Sequence, residues 1–211
     1  QNVNIPDANF KAYLVGESNI NTNGDAEIQV SEASSHSGSI SCSGLNISDL
    51  TGIEAFTALT YLYCEANQLT SLDVTQNTAL TRLYCYENEL TSLDVTQNSA
   101  LTDLRCFYNQ LTSLDVTQNT ALDILYCFNN QLTSLDVTQN TALTWLYCYE
   151  NELTSLDVTQ NTALTELYCN ANQLTCLNLK NGNNSNIGDF YADDNPNLTC
   201  IEVDDVALSD A

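Results

Sequence analysis

The chain has 211 residues, enough for one compact domain or one elongated array. Its 4 Lys and Arg stand against 27 Asp and Glu, a formal net charge of −23, which argues against nucleic acid and anionic membranes as partners. No apolar run approaches the roughly 20 residues that cross a bilayer, and Gln1 suits a mature terminus left by signal-peptide cleavage.

Residues 1–38 read as an N-terminal cap. Asp7 follows Pro6 and can cap a short helix with Phe10, Tyr13 and Leu14 on one face, suited to cover whatever core comes next. Then comes NTNGDAEIQVSE, residues 21–32. Asn21, Asn23 and Asp25 fall at positions 1, 3 and 5, the Glu27 carbonyl at 7, Ile28 at 8 and Glu32 at 12. Alternate residues turn oxygens inward and the last Glu closes such a loop with both oxygens. The segment resembles an EF-hand or dockerin-type calcium loop. The resemblance implies weak calcium binding by Asn21, Asn23, Asp25, Glu27 and Glu32. Asn21 stands where Asp is usual. Ala26 stands where Gly is usual, and a left-handed conformation there would cost roughly 1 kcal/mol. The alternative is a polar turn within the cap.

From residue 39 to 180 the chain repeats itself. Cys64, Cys85, Cys106, Cys127, Cys148 and Cys169 are spaced 21 apart, inside a near-constant text ALTxLYCxxNxLTSLDVTQNT. Fixed self-similarity at this period signals a solenoid. Cys42 opens a degenerate first coil, 22 residues before Cys64. The pattern L-x-x-L-x-C-x-x-N-x-L, as in Leu80, Leu83, Cys85, Asn88 and Leu90, resembles the leucine-rich repeat in its short bacterial 21-residue form, with Cys at the third Leu. The resemblance covers roughly residues 40–203. It implies a right-handed parallel β superhelix, mostly strand and loop, with a short helix only in the N-terminal cap.

The same pattern occurs twice per coil, because Leu69, Leu72, Val74 and Asn77 precede Leu80, Leu83, Cys85 and Asn88. Two extended edges per coil are therefore expected, with Leu, Val and Cys columns inward and coils about 4.8 Å apart. TSLDVTQN is a poor helix former. The Cys column behaves as small buried hydrophobes, and no His or second Cys in each coil suggests a metal column. The columns Asn67, Asn88, Asn109, Asn130, Asn151, Asn172 and Asn77, Asn98, Asn119, Asn140, Asn161 read as ladders that satisfy turn backbone groups.

Residues 181–211 form a degenerate last coil and cap. Phe190, Ala192 and Asn195 match Leu167, Cys169 and Asn172, and the Gly/Asn-rich stretch 181–188 is an inserted loop. Cys176 lies in the column of Ser71, Ser92, Ser113, Ser134 and Ser155, and Cys200 falls one coil later in that column. Neighbouring strands bring such a pair near disulfide distance. The final acidic residues suit a linker to a further domain.

Differences among near-copies point to function. They concentrate at the outward positions of the Leu-x-Cys strand. The first column runs Tyr61, Arg82, Asp103, Ile124, Trp145, Glu166; the second Tyr63, Tyr84, Arg105, Tyr126, Tyr147, Tyr168; the third Glu65, Tyr86, Phe107, Phe128, Tyr149, Asn170. By resemblance to leucine-rich repeats this is the concave, ligand-binding face. Aromatic residues and Arg dominate binding hot spots, so Arg82, Tyr84, Tyr86, Arg105, Phe107, Tyr108, Tyr126, Phe128, Trp145, Tyr147 and Tyr149 are the candidate ligand-binding set, centred on Arg105 and Phe107. Stacking that only stabilises the sheet is the alternative. The opposite edge repeats Ser71, Asp73 and Thr75 uniformly, which reads as a solvated face or as a flat array for a mineral or ice lattice. The single His36 lies outside the array, and no nucleophile–base pair or phosphate loop supports catalysis. The expected function is a secreted or cell-surface recognition and adhesion module for a protein or glycan; the alternative is a structural or lattice-binding solenoid.

Overall fold

The computed structural model describes residues 1–204. The acidic segment 205–211, expected as a linker, lies outside the described residues.

Two helices open the chain, α1 (Ala8–Gly16) and α2 (Val30–Ser35). Asp7 caps α1 as expected, accepting from the N–H groups of Asn9 and Phe10. The cap was expected to hold one short helix. It holds a second because Gln29 and Glu32 form a reciprocal capping box, each side chain accepting from the other's backbone N–H. Phe10 and Leu14 are fully buried against the first coil. The Tyr13 hydroxyl accepts from the Ser41 N–H at 2.8 Å. Residues 3–5 lie over Gly52, which has φ 108°; a Cβ there would come within 2.8 Å of the Ile5 side chain and 2.9 Å of the Asn4 carbonyl oxygen. Glycine permits that approach.

The solenoid follows with β1 (Ser39–Ser41), β2 (Tyr61–Tyr63), β3 (Arg82–Tyr84), β4 (Asp103–Arg105), β5 (Ile124–Tyr126), β6 (Trp145–Tyr147), β7 (Leu156–Asp157), β8 (Glu166–Tyr168), β9 (Cys176–Asn178), β10 (Asp189–Tyr191) and β11 (Cys200–Glu202). Short 3-10 turns lie at Ile53–Ala55 and Asn184–Asn186. One eight-stranded parallel sheet runs β1-β2-β3-β4-β5-β6-β8-β10. Equivalent residues of successive coils are register partners, for example Leu83 with Leu104 and Leu104 with Leu125. The first and last coils join it as expected, with Ile40 opposite Leu62 and Phe190 opposite Leu167.

The core is a set of columns. Leu62 through Leu167, Cys64 through Cys169 and Val74 through Val158 are fully buried. The asparagine ladders are present. Asn88 donates to the carbonyls of Cys64 and Cys85 at 3.1 Å each and accepts from the Leu69 N–H at 3.0 Å, and Asn109 through Asn195 continue the arrangement. In the second ladder Asn119 donates to the carbonyls of Val95 and Asn98 at 2.9 Å. Its Oδ1, like those of Asn77, Asn98, Asn140 and Asn161, is buried without a hydrogen-bond partner.

The expected second extended edge is corrected in most coils. Among the described residues only β7, β9 and β11 pair there, with one isolated parallel bridge between Asp73 and Asp94. Asp73 accepts the Thr75 N–H at 3.0 Å and its hydroxyl at 2.7 Å, and Asp94, Asp115 and Asp136 do likewise with Thr96, Thr117 and Thr138. The same capture occurs where the strands pair, since Asp157 accepts the Thr159 N–H at 2.9 Å and Asn178 the Lys180 N–H at 3.2 Å. What the last coils add is the backbone bond from the Leu179 N–H to the Glu202 carbonyl at 2.8 Å, beside the Cys176–Cys200 disulfide.

Cys176 and Cys200 form the expected disulfide, with Cα atoms 4.8 Å apart. The other seven cysteines are free and buried. Burial pushes the Cys106 thiol up to about 12, so the column is protonated at neutral pH and chemically quiet.

Candidate functional site

A three-residue strand sends its middle side chain into the core and its outer two to the surface. Each coil therefore adds two outward side chains to the sheet face, and a third follows just past the inward Cys. Coil spacing near 4.8 Å then sets rings of one column at stacking distance.

In the third column Tyr86, Phe107, Phe128 and Tyr149 form a continuous stack, with centroids 4.2–4.3 Å apart and planes within 11°. Tyr108 lies in the turn rather than the strand and packs edge-on against Phe107 and Phe128 at 5.6 and 5.5 Å. In the second column Tyr126 stacks on Tyr147 at 4.3 Å, and Tyr168 and Tyr191 continue the row. Arg82 lies over the Tyr61 ring at 5.3 Å, and Trp145 is half-buried in the first column between Ile124 and Glu166. The eleven candidate residues thus share one face.

Arg105 takes the place of a ring. Its guanidinium carbon lies 4.5 Å from the Tyr84 centroid and 5.0 Å from that of Tyr126, a cation–π sandwich. Its donors do not all point outward. Nε donates to Asp103 Oδ1 at 3.0 Å and an Nη to Oδ2 at 3.1 Å. Tyr84 donates its hydroxyl to the same Oδ2 at 2.6 Å. Asp103 is 6% exposed; on a surface strand such a carboxylate is tolerated only when paired. Burial draws the Arg105 pKa down, but the Asp103 bonds outweigh it and leave it raised. Burial, then the Asp103 bond, pushes the Tyr84 phenol up. Burial and the bond to Glu166 do the same for Tyr147.

Toward the C-terminal end the face holds a cleft of about 320 Å³ lined by Tyr147, Tyr149, Tyr168, Asn170, Tyr191 and Asp193. Four of these residues fall outside the candidate set. Tyr168 and Asn170 stood in the columns; Tyr191 and Asp193 are their successors in the degenerate coil, and aligning that coil is the signal that finds them.

The N-terminal loop is closed by its own hydrogen bonds. Glu32 Oε1 accepts from the Thr22 N–H and hydroxyl and the Asn23 N–H, and Oε2 from the Gln29 N–H. The Gln29 bond leads in lowering the Glu32 pKa, against desolvation. Asn21 donates to the carbonyls of Val15 and Asp25 and accepts from the Gly24 N–H. Asn23 and Asp25 bond each other and Gln29, and the Glu27 side chain pairs with Lys11 at 2.7 Å. The left-handed residue is Gly24, at φ 71°, and not Ala26, so the expected strain at Ala26 does not arise. Among the described residues no three acidic, Cys or His side chains converge on a common point. The five residues therefore share one loop, in which the side-chain oxygens of Asn21, Asn23, Asp25 and Glu32 accept from protein donors. His36 is a structural residue: it is buried, edge-on to Phe56 at 6.2 Å, with Nε2 3.2 Å from the Ser39 carbonyl oxygen.

No protein-family model matches the chain. No curated protein matches it either. Solved structures do. An internalin C2 from Listeria monocytogenes aligns with 20% identity over 96% of this chain and 88% of that one, TM-score 0.70. A leucine-rich repeat protein of Leptospira interrogans aligns with 29% identity over 72% of this chain, TM-score 0.56; the matched part is 38% of that protein. The functional domain of InlJ from Listeria monocytogenes, described as including a cysteine ladder, aligns with 28% identity over 96% of this chain and 62% of that one, TM-score 0.38. This chain thus spans less than two thirds of the last two. The parallel coils, the buried Leu and Asn columns and the superposition on internalin C2 together make the fold a leucine-rich repeat solenoid.

Proposed function

We propose that the chain is a secreted or cell-surface recognition module whose eight-stranded sheet face binds a protein. The observation that carries this is the aromatic face itself. Two columns of stacked rings, interrupted by one paired Arg, occupy the surface where the coils differ most. Stacked rings cover one another's faces and turn their edges and hydroxyls outward. A sugar docks on ring faces, so continuous stacks offer it little. A flat field of ring edges, hydroxyls and a guanidinium suits a protein surface. The Cys176–Cys200 disulfide favours an oxidising compartment. The described helices offer no membrane span.

The test is selection of a displayed peptide and protein-domain library on the purified chain. Binders are then measured against Trp145→Ala and Phe107→Ala, with unfolding curves as a control. Loss of about 1 kcal/mol or more in binding on these variants, with little loss for Asp115→Leu and Thr117→Leu, supports the sheet face. The reverse pattern points to the regular Asp/Thr edge and to the lattice-binding alternative.

The loop 21–32 takes calcium weakly at most under the same reading. Asp25 and Glu32 supply only two carboxylates not paired with a Lys, and Glu32 would have to exchange its bonds to Thr22, Asn23 and Gln29 for the ion. Calorimetry should find a dissociation constant of about a millimolar or weaker, abolished by Glu32→Gln. Micromolar binding would overturn this account of the loop.

A further inference from the structure

The third column of the sheet face stops abruptly. After Tyr86, Phe107, Phe128 and Tyr149 the next two coils place Asn170 and Asp193 there. The second column does not stop, because Tyr147, Tyr168 and Tyr191 continue it. The step between a continuing ridge and a truncated one is the cleft of about 320 Å³. Tyr149 has a ring neighbour on one side only, so its other face borders the cleft.

The chain itself shows what fills such a gap. Where the second column lacks a ring, the Arg105 guanidinium occupies the slot between Tyr84 and Tyr126 and pairs with Asp103. The cleft has the same components without the cation: a tyrosine face, a slot one coil deep in which Asn170 is too short to reach the position of a ring, and an exposed carboxylate at Asp193 one coil further on. We propose that this cleft receives an arginine side chain of a protein partner, its guanidinium stacked on Tyr149 and donating to Asp193. Arginine stacks on aromatic faces and pairs with carboxylates through a planar fork. The ridge of Tyr147, Tyr168 and Tyr191 lies along its aliphatic stem.

Charge selects this occupant over others. The chain carries −23, and Asp189, Asp193 and Asp194 cluster in this coil, so the local field attracts a cation and repels a carboxylate. A neutral sugar fits the space but gains nothing from Asp193. The proposal rests on the reading of the sheet face as protein-binding and names the chemistry of one contact within it.

The experiment is a titration of N-acetylarginine amide into the isotopically labelled chain, followed by NMR, with the citrulline analogue as the neutral isostere. Saturable shifts confined to Tyr149, Asn170, Asp193 and their neighbours are expected, with citrulline at least about fivefold weaker. Asp193→Asn should weaken arginine binding by a similar factor. Asn170→Tyr, which extends the stack into the slot, should abolish it while leaving the unfolding midpoint unchanged or raised. Equal binding of citrulline, shifts spread over the Asp/Thr edge, or unchanged binding by Asn170→Tyr would overturn the proposal. The library binders separate the two readings. Binders lost on Trp145→Ala but kept on Asp193→Asn sink the cleft alone. Binders indifferent to the whole sheet sink the sheet-face reading, while the arginine titration still decides the cleft.

Discussion

Arg105 shows how one residue can serve surface and stability together. Its side chain is 29% exposed and that of Asp103 is 8% exposed, so the pair lies between the weak ion pairs of open surface and the costly ones of a core. Removing the guanidinium leaves a buried carboxylate with only the Tyr84 hydroxyl and opens a gap between two rings. Arg105→Ala should therefore destabilise the fold by about 1–3 kcal/mol. Asp103→Ala in the same chain should recover part of that loss, read from urea midpoints. A second residue-scale feature is backbone strain. Ala66, Glu87, Tyr108, Asn129, Glu150, Ala171 and Asp194 all have φ between 50° and 55°. Each follows the outward residue of the third column and turns the chain toward the Asn of the ladder. Only Asn and Asp visit that region readily among these types. Glu87 is exposed and bonds nothing through its side chain, so Glu87→Gly should raise stability by roughly 0.5–1 kcal/mol. An unchanged or lowered urea midpoint would show that the turn carries no such strain.

At the scale of elements, the coil is held by its ladders more than by its strands. A three-residue strand cannot persist alone. Each Asn side chain ties two coils together, as Asn119 does through the carbonyls of Val95 and Asn98. Asn119→Ala would leave the Val95 carbonyl with only the Asn98 N–H and the Asn98 carbonyl with only the Leu101 N–H, a loss of two bonds at a cost of about 1–3 kcal/mol. It would also remove an Oδ1 that already lacks a partner, which offsets part of this. The exposed neighbour Gln118 is the control, since Gln118→Ala should stay within about 0.5 kcal/mol. These ladders, the inward Cys column and the Cys176–Cys200 pairing were legible in the sequence because strict periodicity converts spacing into stacking. The second helix and the weak Ser-Leu-Asp edge were not. The second helix depends on Glu32 capturing the Gln29 amide, which leaves no periodic trace, and the Ser-Leu-Asp columns repeat identically in coils that pair and in coils that do not, so their spacing cannot tell the two apart. The columns of the site were likewise legible, whereas the Arg105–Asp103 pair and the cleft were not. The pair joins residues two apart on one strand, and the cleft appears only when Asn170 is set beside Tyr168 and Tyr191 in space.

On the scale of the whole molecule, a solenoid is a sum of near-equal units with nearest-neighbour contacts. Nearly identical coils make that additivity testable within one chain. Deleting residues 88–108 removes one 21-residue period, including β4, and joins Glu87 to Asn109. The Asn, Leu and Cys columns then keep their register, because each residue meets its equivalent two coils on. Tyr84 becomes the neighbour of Tyr126, so the second column closes into an unbroken row and the gap that Arg105 filled disappears. The shortened chain should fold cooperatively, with a circular-dichroism spectrum of the same shape and a urea m-value reduced in proportion to the buried surface lost. Its cleft at Tyr149, Asn170 and Asp193 lies beyond the deletion and should bind arginine amide as before. Deleting 20 residues instead, 88–107, leaves Tyr108 as one extra residue in the turn between Glu87 and Asn109, giving a 22-residue coil like the first one, which keeps Ile40 opposite Leu62. The columns then stay in register but the turn is disturbed, so this variant should fold with a lower urea midpoint than the 21-residue deletion. A 21-residue deletion that unfolds would show that the coils are not interchangeable and that a longer-range contact holds the stack together.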